Sequence, residues 1–264
     1  MGFRAALALL ALAAGPAAAG HPYEALPAST APLSLQAPLA VGETLEYEIY
    51  WGMINVGRSS LRVEKAVRIG THTALHIVSE ARSSSFINNF YKVEDRNEAW
   101  LDPETLHSYG YVKRLSEGKY HADEWVLFDA PARRYHGEKR NRKGQVSAFE
   151  GTLEYPVIDV LSAIYLIRAR GASPGGEIQL DVNTKKNWRM TVKTHKIEKA
   201  ETPYGRKKCL VVEPMVGEEG LFVAKAGKRM LVWMTQDDLR LPLLLKAEIF
   251  IGSITAKLVR RTVR

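Results

Sequence analysis

The sequence contains one cysteine, Cys209, among 264 residues. A single thiol excludes an intramolecular disulfide and a metal site built from several thiolates. The signatures of common enzymes are also missing, including G-x-S-x-G, G-x-G-x-x-G, the Walker loop and H-E-x-x-H. After the first twenty residues, no stretch approaches the 18 uncharged apolar residues expected of a transmembrane helix. What remains is ordinary globular composition, 46% hydrophobic and 25% charged with a net charge of +8, which excludes a wholly disordered chain.

The first twenty residues, MGFRAALALLALAAGPAAAG, have the pattern of a cleaved signal peptide. Arg4 precedes a short apolar run, Gly15-Pro16 breaks it, and three alanines up to Ala19 offer the small residues that signal peptidase requires. The run is too short to span a bilayer, and no nearby cysteine could carry a lipid anchor. We therefore expect a signal peptide over residues 1–19, cleavage near Ala19 and a periplasmic protein.

Residues 20–40 are rich in proline, alanine, serine and leucine and have no hydrophobic periodicity. This composition favours a flexible leader before the folded domain. From Gly42 to Val259 a two-residue alternation, interrupted by Gly, Pro, Asn and Asp, predicts strands. The exception is PVIDVLSAIYLIRAR, where apolar residues recur at helical spacing, so one helix is predicted at about residues 156–170.

An internal repeat divides the strand-rich region. VGETLEYEI at Val41 is matched by GGEIQLDV at Gly175, and AWLDPETL with Trp100 is matched by VWMTQDDL with Trp233. The offsets are 134 from Gly42 to Gly176 and 133 from Trp100 to Trp233. We predict one β-rich domain over residues 41–264, made of related halves at about 41–150 and 175–264 joined by the helix. The fold class is mainly β, a duplicated and strongly curved antiparallel sheet, open or closed like a barrel, with the helix packed on it.

Two small polar groups could support chemistry, but simpler interpretations are favoured. His72 and His76 have the spacing of a metal pair on a helix, yet they lie in a predicted strand, where four residues span about 13 Å. His121, Asp123 and Glu124 could supply a general base or a metal ligand, but they lie near a predicted hairpin tip, where polar residues are common. No catalytic residue, metal ligand or cofactor is therefore assigned.

Aromatic and basic residues supply the candidate binding sites. If the sheet curls, strand aromatics could line an apolar cavity, although plain core filling is the simpler interpretation. The proposed lining residues are Tyr47, Trp51, Trp100, Tyr109 and Trp233. A basic turn could contact an anionic surface, the alternative being a solvated hairpin turn; it contains Arg140, Arg142 and Lys143. Nucleic acid is not an expected partner, because an exported protein rarely meets it.

The chain resembles a family of exported bacterial proteins known as domain of unknown function 3108. The resemblance rests on GETLEYEIYWGMINVG, YPVIDVLSAIYLIR, TPYG and LVWMTQDDLRLPLLL, followed by a hairpin at Gly252. It covers about Val41 to Arg264 and implies an exported β-rich domain of the cell envelope. It implies no reaction and no catalytic residues.

Three functions follow from these observations. The first is a non-enzymatic periplasmic envelope protein that binds an apolar or amphipathic ligand, such as a lipid or lipoprotein. The alternative is a structural or protein-interaction module in envelope assembly. The minor alternative is an envelope hydrolase that uses carboxylates such as Asp123 and Glu124. The sequence leaves the ligand, the partner and the oligomeric state open.

Overall fold

The computed structural model describes residues 20–31, 33, 35, 37–215, 229–249 and 251–264. The expected signal peptide, residues 1–19, lies outside the described residues. In the described part, one antiparallel sheet contains fourteen strands, accompanied by two α-helices and a short 3-10 helix at Ala37–Leu39. The strands are β1 (Thr44–Trp51), β2 (Ile54–Ile69), β3 (His72–Ser83), β4 (Glu94–Leu101), β5 (Ser108–Glu117), β6 (Tyr120–Asp129), β7 (Arg134–Asn141), β8 (Val146–Thr152), β9 (Glu177–Asn183), β10 (Asn187–Thr202), β11 (Gly205–Met215), β12 (Met230–Thr235), β13 (Pro242–Glu248) and β14 (Ser253–Thr262); the helices are α1 (Ser85–Asn88) and α2 (Val160–Arg170).

The strand order puts the two ends of the chain in the middle of the sheet. The order is β8-β7-β6-β5-β4-β3-β2-β1-β14-β13-β12-β11-β10-β9. β1 pairs antiparallel with β14, from Thr44 opposite Thr262 to Trp51 opposite Ile254. The prediction of a mainly β, antiparallel, barrel-like sheet is confirmed. The sheet is not closed by hydrogen bonds, so β8 and β9 are its edges.

Residues from both halves of the sheet meet in one core. Leu45 and Leu75 pack in the same buried cluster as Met190 and Val212, although these strands are far apart in the strand order. The sheet must therefore curl, and the face that carries this core is called the inner face. The opposite face is the outer face.

Helix α2 lies against the inner face, within the predicted range of residues 156–170. Asp159 caps its first turn by accepting a hydrogen bond from the Ser162 N–H at 3.0 Å, and the helix ends before Gly171, whose φ is +70°. Tyr165 and Leu166 are buried in the shared core. The helix is buried on nearly every side rather than along one stripe, because it packs against β3, β4 and β9 and is also contacted by the 3-10 helix at Ala37–Leu39.

A buried ion pair joins α2 to the start of the sheet. The Arg168 guanidinium donates to both carboxylate oxygens of Glu43, at 2.7 and 3.0 Å, and both side chains are fully buried. Arg261 from β14 donates to the same carboxylate at 2.8 Å. Next to Glu43, Gly42 has a φ of +85°, and a Cβ there would lie 2.2 Å from the Arg264 carbonyl oxygen. Helix, first strand and last strand therefore meet at one point.

The two edge regions of the sheet approach each other on the inner side. Tyr135 of β7 donates its hydroxyl hydrogen to the Lys185 carbonyl oxygen at 2.5 Å, and Asn187 donates to the Thr152 carbonyl at 2.6 Å. Ile158, just before α2, forms a parallel bridge with Val182 of β9. These contacts hold the β9–β10 turn against β7 and β8 without a continuous ladder.

Candidate functional site

A lysine cluster, defined as Lys113, Lys139 and Lys185, surrounds the Glu124 carboxylate on the inner face. Lys113 of β5 lies opposite Glu124 of β6, and Glu124 lies opposite Lys139 of β7. Directly opposed side chains have Cβ atoms only about 5 Å apart, so both lysines flank the carboxylate. Lys185 arrives from the β9–β10 turn and places its Nζ 2.8 Å from Glu124 Oε2.

The backbone of Lys185 is held in an unusual conformation. Its φ is +76°, in the left-handed region that a lysine adopts only at a cost of about 1 kcal/mol. Its N–H donates to Asn183 Oδ1 at 3.0 Å, and its carbonyl accepts the 2.5 Å hydrogen bond from Tyr135. These contacts offset the strain and direct the side chain toward Glu124.

Each member of the lysine cluster also lies near an aromatic ring. Lys113 Nζ is 4.6 Å from the centroid of Tyr111, Lys139 Nζ is 5.7 Å from that of Tyr120, and Lys185 Nζ is 5.9 Å from that of Phe149. Lys139 Nζ additionally donates to the Tyr120 hydroxyl at 3.2 Å. Ring faces attract cations. The rings thus help to hold the three ammonium groups.

The charges of this cluster do not balance among the described residues. The Tyr111 hydroxyl donates to Glu124 Oε1 at 2.9 Å, so this carboxylate is already shared between a lysine and a tyrosine. The next carboxylate that acts on Lys113 is Asp159, which is committed to the Ser108 hydroxyl and the Ser162 N–H. Burial is the main cause that lowers the pKa of Lys113; Glu124 and Asp159 oppose it, whereas Lys185 and Lys139 add to it. Burial also raises the pKa of Asp159. An anionic group would be favoured here.

A second group of functional side chains lies on the outer face of the first half. Trp100 of β4 is stacked between Tyr23, at 3.8 Å between centroids and 11°, and His76, at 5.0 Å and 5°. We call Tyr23, Trp100 and His76 the aromatic stack. Gly110 makes room for Tyr23, because a Cβ at that position would lie 1.9 Å from the tyrosine hydroxyl. That hydroxyl donates to the carbonyl oxygens of Tyr109 and Val126, at 2.7 and 3.1 Å.

Glu98 organises the cations beside the aromatic stack. It accepts hydrogen bonds from Arg96 at 3.0 Å and Arg114 at 3.0 Å, and its Oε2 lies 2.8 Å from His76 Nε2. Burial pushes the pKa of Glu98 upward, but the hydrogen bonds from His76 and Arg96 outweigh it and lower the pKa to about 2. The adjoining cavity is small, about 200 Å³, and both faces of Trp100 are covered. This group therefore holds the N-terminal segment, defined as residues 20–31, against the sheet.

The outer face of the second half carries a larger depression, which we call the outer groove. Its volume is about 780 Å³, and it is lined by Pro174, Gly175, Thr194, His195, Lys196, Glu198, Val211, Arg229 and Leu231. At its rim, Glu213 accepts from Arg229 at 2.6 and 2.9 Å and lies 2.6 Å from His195 Nε2. The hydrogen bonds from Arg229 and His195 lower the pKa of Glu213 to about 2.

The five aromatic residues suggested as a cavity lining are placed on different surfaces. Tyr47 is buried on the inner face and donates to the Pro242 carbonyl at 3.0 Å. Trp100 and Tyr109 belong to the outer-face cluster under the N-terminal segment, while Trp51 is 43% exposed. Trp233 lies on the outer face, because it alternates with the inner residues of β12, and its indole N–H donates to the Glu198 carboxylate at 2.6 Å. The five do not share one cavity, because strand alternation sends neighbouring aromatics to opposite faces.

The basic turn and the carboxylate pair suggested by the sequence lie at separate positions in the first half of the sheet. Arg140, Arg142 and Lys143 lie at the β7–β8 hairpin tip, where Asn141 Oδ1 accepts from the Lys143 N–H at 2.9 Å. Asp123 and Glu124 are adjacent on β6, so they point to opposite faces and cannot act together.

Two features of the site are not evident from the sequence pattern. The composition of the N-terminal segment predicts a flexible leader, yet its described residues contact the sheet through Tyr23 and through Ala28, which bridges to Val67. The lysine cluster is also missing from the sequence prediction. The sequence pattern that marks the cluster is a charged residue at an inward position of each of three successive strands. This pattern can be recognised only when the inner face is known.

Comparison with known proteins identifies the family but not a reaction. A family model described as "Protein of unknown function (DUF3108)" matches residues 46–259. The chain belongs to the DUF3108 family. This confirms the resemblance seen in the sequence. Comparison with curated proteins gives no match for this DUF3108 protein.

A solved structure supports the fold of this DUF3108 member. The crystal structure of a β-barrel-like protein of domain of unknown function DUF1849 from Brucella abortus is similar, with a TM-score of 0.51 and 9% identity. The match covers 85% of this chain and 98% of that chain. A candidate exported protein with a YmcC-like fold from Bacteroides fragilis matches with a TM-score of 0.36 and 8% identity, covering 87% and 100%. Within the described residues, no helix of this DUF3108 protein has the length and apolarity needed to cross a bilayer.

Proposed function

We propose that this protein is a non-enzymatic binding protein of the cell envelope that holds an amphipathic ligand with an acidic headgroup at the lysine cluster. The observation that carries the proposal is the charge excess on the inner face, in the described part of the chain. Lys185 contacts the Glu124 carboxylate, Lys113 and Lys139 flank Glu124 in the strand register, and the carboxylate is already shared with Tyr111. A carboxylate or phosphate of the ligand would relieve the repulsion among the lysines and form charge-assisted hydrogen bonds.

The surroundings of the lysine cluster suit the apolar part of such a ligand. Leu115 and Ala122 are opposed on the inner face one row from Lys113 and Glu124, and Phe149 lies near Lys185 on the other side. Apolar surface buried by a hydrocarbon chain contributes about 25 cal/mol per Å². A ligand that has both an acid and an apolar chain can therefore use the cluster and its neighbours together.

The periplasmic location is part of the same proposal. It rests on the signal-peptide pattern of residues 1–19 and on the envelope role implied by the family resemblance. Sequencing the N-terminus of the exported protein tests it, with Gly20 expected as the first residue. The basic tip formed by Arg140, Arg142 and Lys143 is proposed to approach an anionic surface and so bring the inner face near its ligand.

The test compares binding of a fluorescent long-chain fatty acid with binding of the corresponding neutral alcohol. The double variant Lys113→Met, Lys139→Met should lose affinity for the acid by about a hundredfold or more, since each hydrogen bond to a charged group contributes about 1.5–3 kcal/mol. Its affinity for the alcohol should change much less. Lys257→Met is the matched control, because Lys257 also lies over a tyrosine ring, at 4.8 Å from Tyr50, but outside the cluster.

Two results would contradict the proposal. One is that the wild-type protein binds neither the acid nor the alcohol. The other is that Lys257→Met reduces acid binding as much as the double variant does. Reversal of Arg140, Arg142 and Lys143 to Glu, followed by cosedimentation with anionic vesicles, checks the surface contact in the same series; unchanged cosedimentation would rule out that contact.

A further inference from the structure

The N-terminal segment shows what the outer face of the first half binds. It runs along the part of β2 that extends beyond β1, where Ala28 bridges to Val67. The Ser29 N–H donates to the Ala66 carbonyl at 3.0 Å, and the Arg68 N–H donates to the Pro27 carbonyl at 2.9 Å. The segment thus adds a short strand to a free edge and places Tyr23 on Trp100.

The free edge exists because β2 is twice as long as β1. β2 has 16 residues and β1 has 8, and the ladder between them ends at Thr44 opposite Arg62. A strand edge without a partner leaves N–H and C=O groups that can pair with another chain. The N-terminal segment satisfies that edge from within the same molecule.

The second half repeats this arrangement without an equivalent segment among the described residues. β10 also has 16 residues, its ladder with β9 ends at Lys193 opposite Glu177, and beyond it Gly175 and Gly176 hydrogen-bond with Thr194 and His195. From Lys196 to Thr202, the edge facing away from β11 has no backbone partner in the described part of the chain. The hairpin tips correspond as well, with Ile69 opposite His72 and Thr202 opposite Gly205.

The side chains on the two outer faces also correspond. Four pairs are separated by 133 positions: Arg62 and His195, Glu80 and Glu213, Arg96 and Arg229, and Trp100 and Trp233. In the first half, Glu80 accepts from Arg62 at 3.0 Å and from Arg96 at 2.6 Å. In the second half, Glu213 is held in the same way by His195 and Arg229. The outer groove therefore lies where the first half holds its N-terminal segment.

The volume of the outer groove and the charge of its neighbouring hairpin indicate the size and charge of a suitable ligand. The corresponding cavity of the first half, with Tyr23 in place, is only about 200 Å³, whereas the outer groove is about 780 Å³ and has Val211 and Leu231 in its lining. The neighbouring hairpin is basic; its charged residues are Lys196, Glu198, Lys199, Glu201, Arg206, Lys207 and Lys208. The N-terminal segment itself carries an acid directly after its aromatic residue, as Tyr23-Glu24.

We propose that the outer groove binds an extended peptide of a partner protein by strand addition to Lys196–Thr202, with an aromatic side chain placed toward Trp233 and an acidic residue toward the basic hairpin. This inference goes beyond the proposed amphiphile site, because it concerns the opposite face of the sheet and a different class of ligand. Main-chain hydrogen bonds supply affinity in this mode of recognition, and the side-chain pocket supplies specificity.

The probe is a fluorescein-labelled peptide with the sequence of residues 20–31, GHPYEALPASTA, titrated onto the full protein by fluorescence anisotropy. Leu231→Lys should weaken binding at least tenfold because it places a charge in the groove lining. Replacing the tyrosine of the peptide by alanine should weaken binding to a similar degree. Trp51→Ala, which alters an exposed tryptophan elsewhere, should leave binding unchanged.

Hydrogen exchange identifies the binding edge. Bound peptide should slow exchange of amides within Lys196–Thr202, and slower exchange confined to other strands would overturn the proposal. So would absence of binding, or equal binding by wild type and Leu231→Lys. In a variant with residues 216–228 replaced by a glycine–serine linker, binding that appears only there would identify this segment as the occupant. A wild-type dimer that excludes the peptide would identify a second copy of the chain as the occupant of the outer groove. Either result would overturn the proposal that a partner protein's peptide binds there.

Discussion

Glu98 joins three of the cationic or titratable side chains on the outer face of the first half. It is buried and carries two arginines and a histidine on one carboxylate. This role cannot be predicted from the sequence, because the alternating pattern of the strand does not distinguish Glu98 from its other polar residues. Trp100 could be singled out as a strand aromatic, but its partner Tyr23 could not, since stacking across 77 residues leaves no local pattern.

Replacing Glu98 with glutamine should destabilise the protein by about 3 kcal/mol at pH 7, because it removes the buried counter-charge of Arg96 and Arg114. The wild type should lose stability as the pH falls from about 4.5 toward 2. Its Glu98 has a pKa of about 2 when folded and an ordinary value of 4.5 when unfolded, so the contribution is complete above 4.5 and disappears near 2. Urea unfolding at several pH values measures both effects. An equally steep acid dependence in Glu98→Gln would assign the effect to other carboxylates, such as Glu213.

The elements were largely predictable because each has a strong local period. The two-residue alternation marked the strands, and the helical spacing of PVIDVLSAIYLIRAR located α2. The N-terminal segment was not predictable in the same way. Its contacts use the Tyr23 ring and hydroxyl, the His21 ring, the Ser29 hydroxyl and two backbone groups, none of which requires periodicity in the sequence.

Tyr23→Ala should release the N-terminal segment from the sheet. The substitution removes the Tyr23 ring from Trp100 and the hydrogen bond that the Tyr23 hydroxyl shares between two carbonyl oxygens, for a loss of about 3 kcal/mol. Limited proteolysis should then cut within residues 20–31, and exchange of the Arg68 amide should accelerate. Tyr91→Ala is the control, because Tyr91 is 51% exposed and its loss should cost at most about 0.5 kcal/mol. Unchanged protease resistance in Tyr23→Ala would show that other contacts hold the segment.

At the scale of the whole molecule, the fold class was predictable and the shape of the inner space was not. The internal repeat indicated one curved sheet, and the structure has one sheet with β1 beside β14. That the two halves arose by duplication stays a prediction. The four residue pairs at a spacing of 133 agree with the duplication hypothesis. How far α2 fills the inner face depends on packing between residues far apart in the chain, which local patterns do not record.

Removal of β14 should prevent folding altogether. A chain ending at residue 252 would leave β1 and β13 without their shared partner and would divide the sheet into two separate groups of strands. Near-UV circular dichroism should show loss of fixed tertiary packing, and urea unfolding should lose its cooperativity. Removal of Val263 and Arg264 alone should cost about 1 kcal/mol or less, since it breaks the backbone hydrogen bond from the Arg264 N–H to the Gly42 carbonyl and leaves β14 in place. A cooperative transition in the longer truncation would show that either group folds alone.

The pairing of β1 with β14 also sets the order in which the molecule can be completed. Thr44 can pair with Thr262 only after Thr262 has been synthesised. All residues between them therefore have to leave the ribosome before the centre of the sheet can form. Joining partners this far apart in sequence is slow, because loop entropy is paid before the contacts form. Until that pairing forms, a newly made chain can complete only the strand pairs on either side of it.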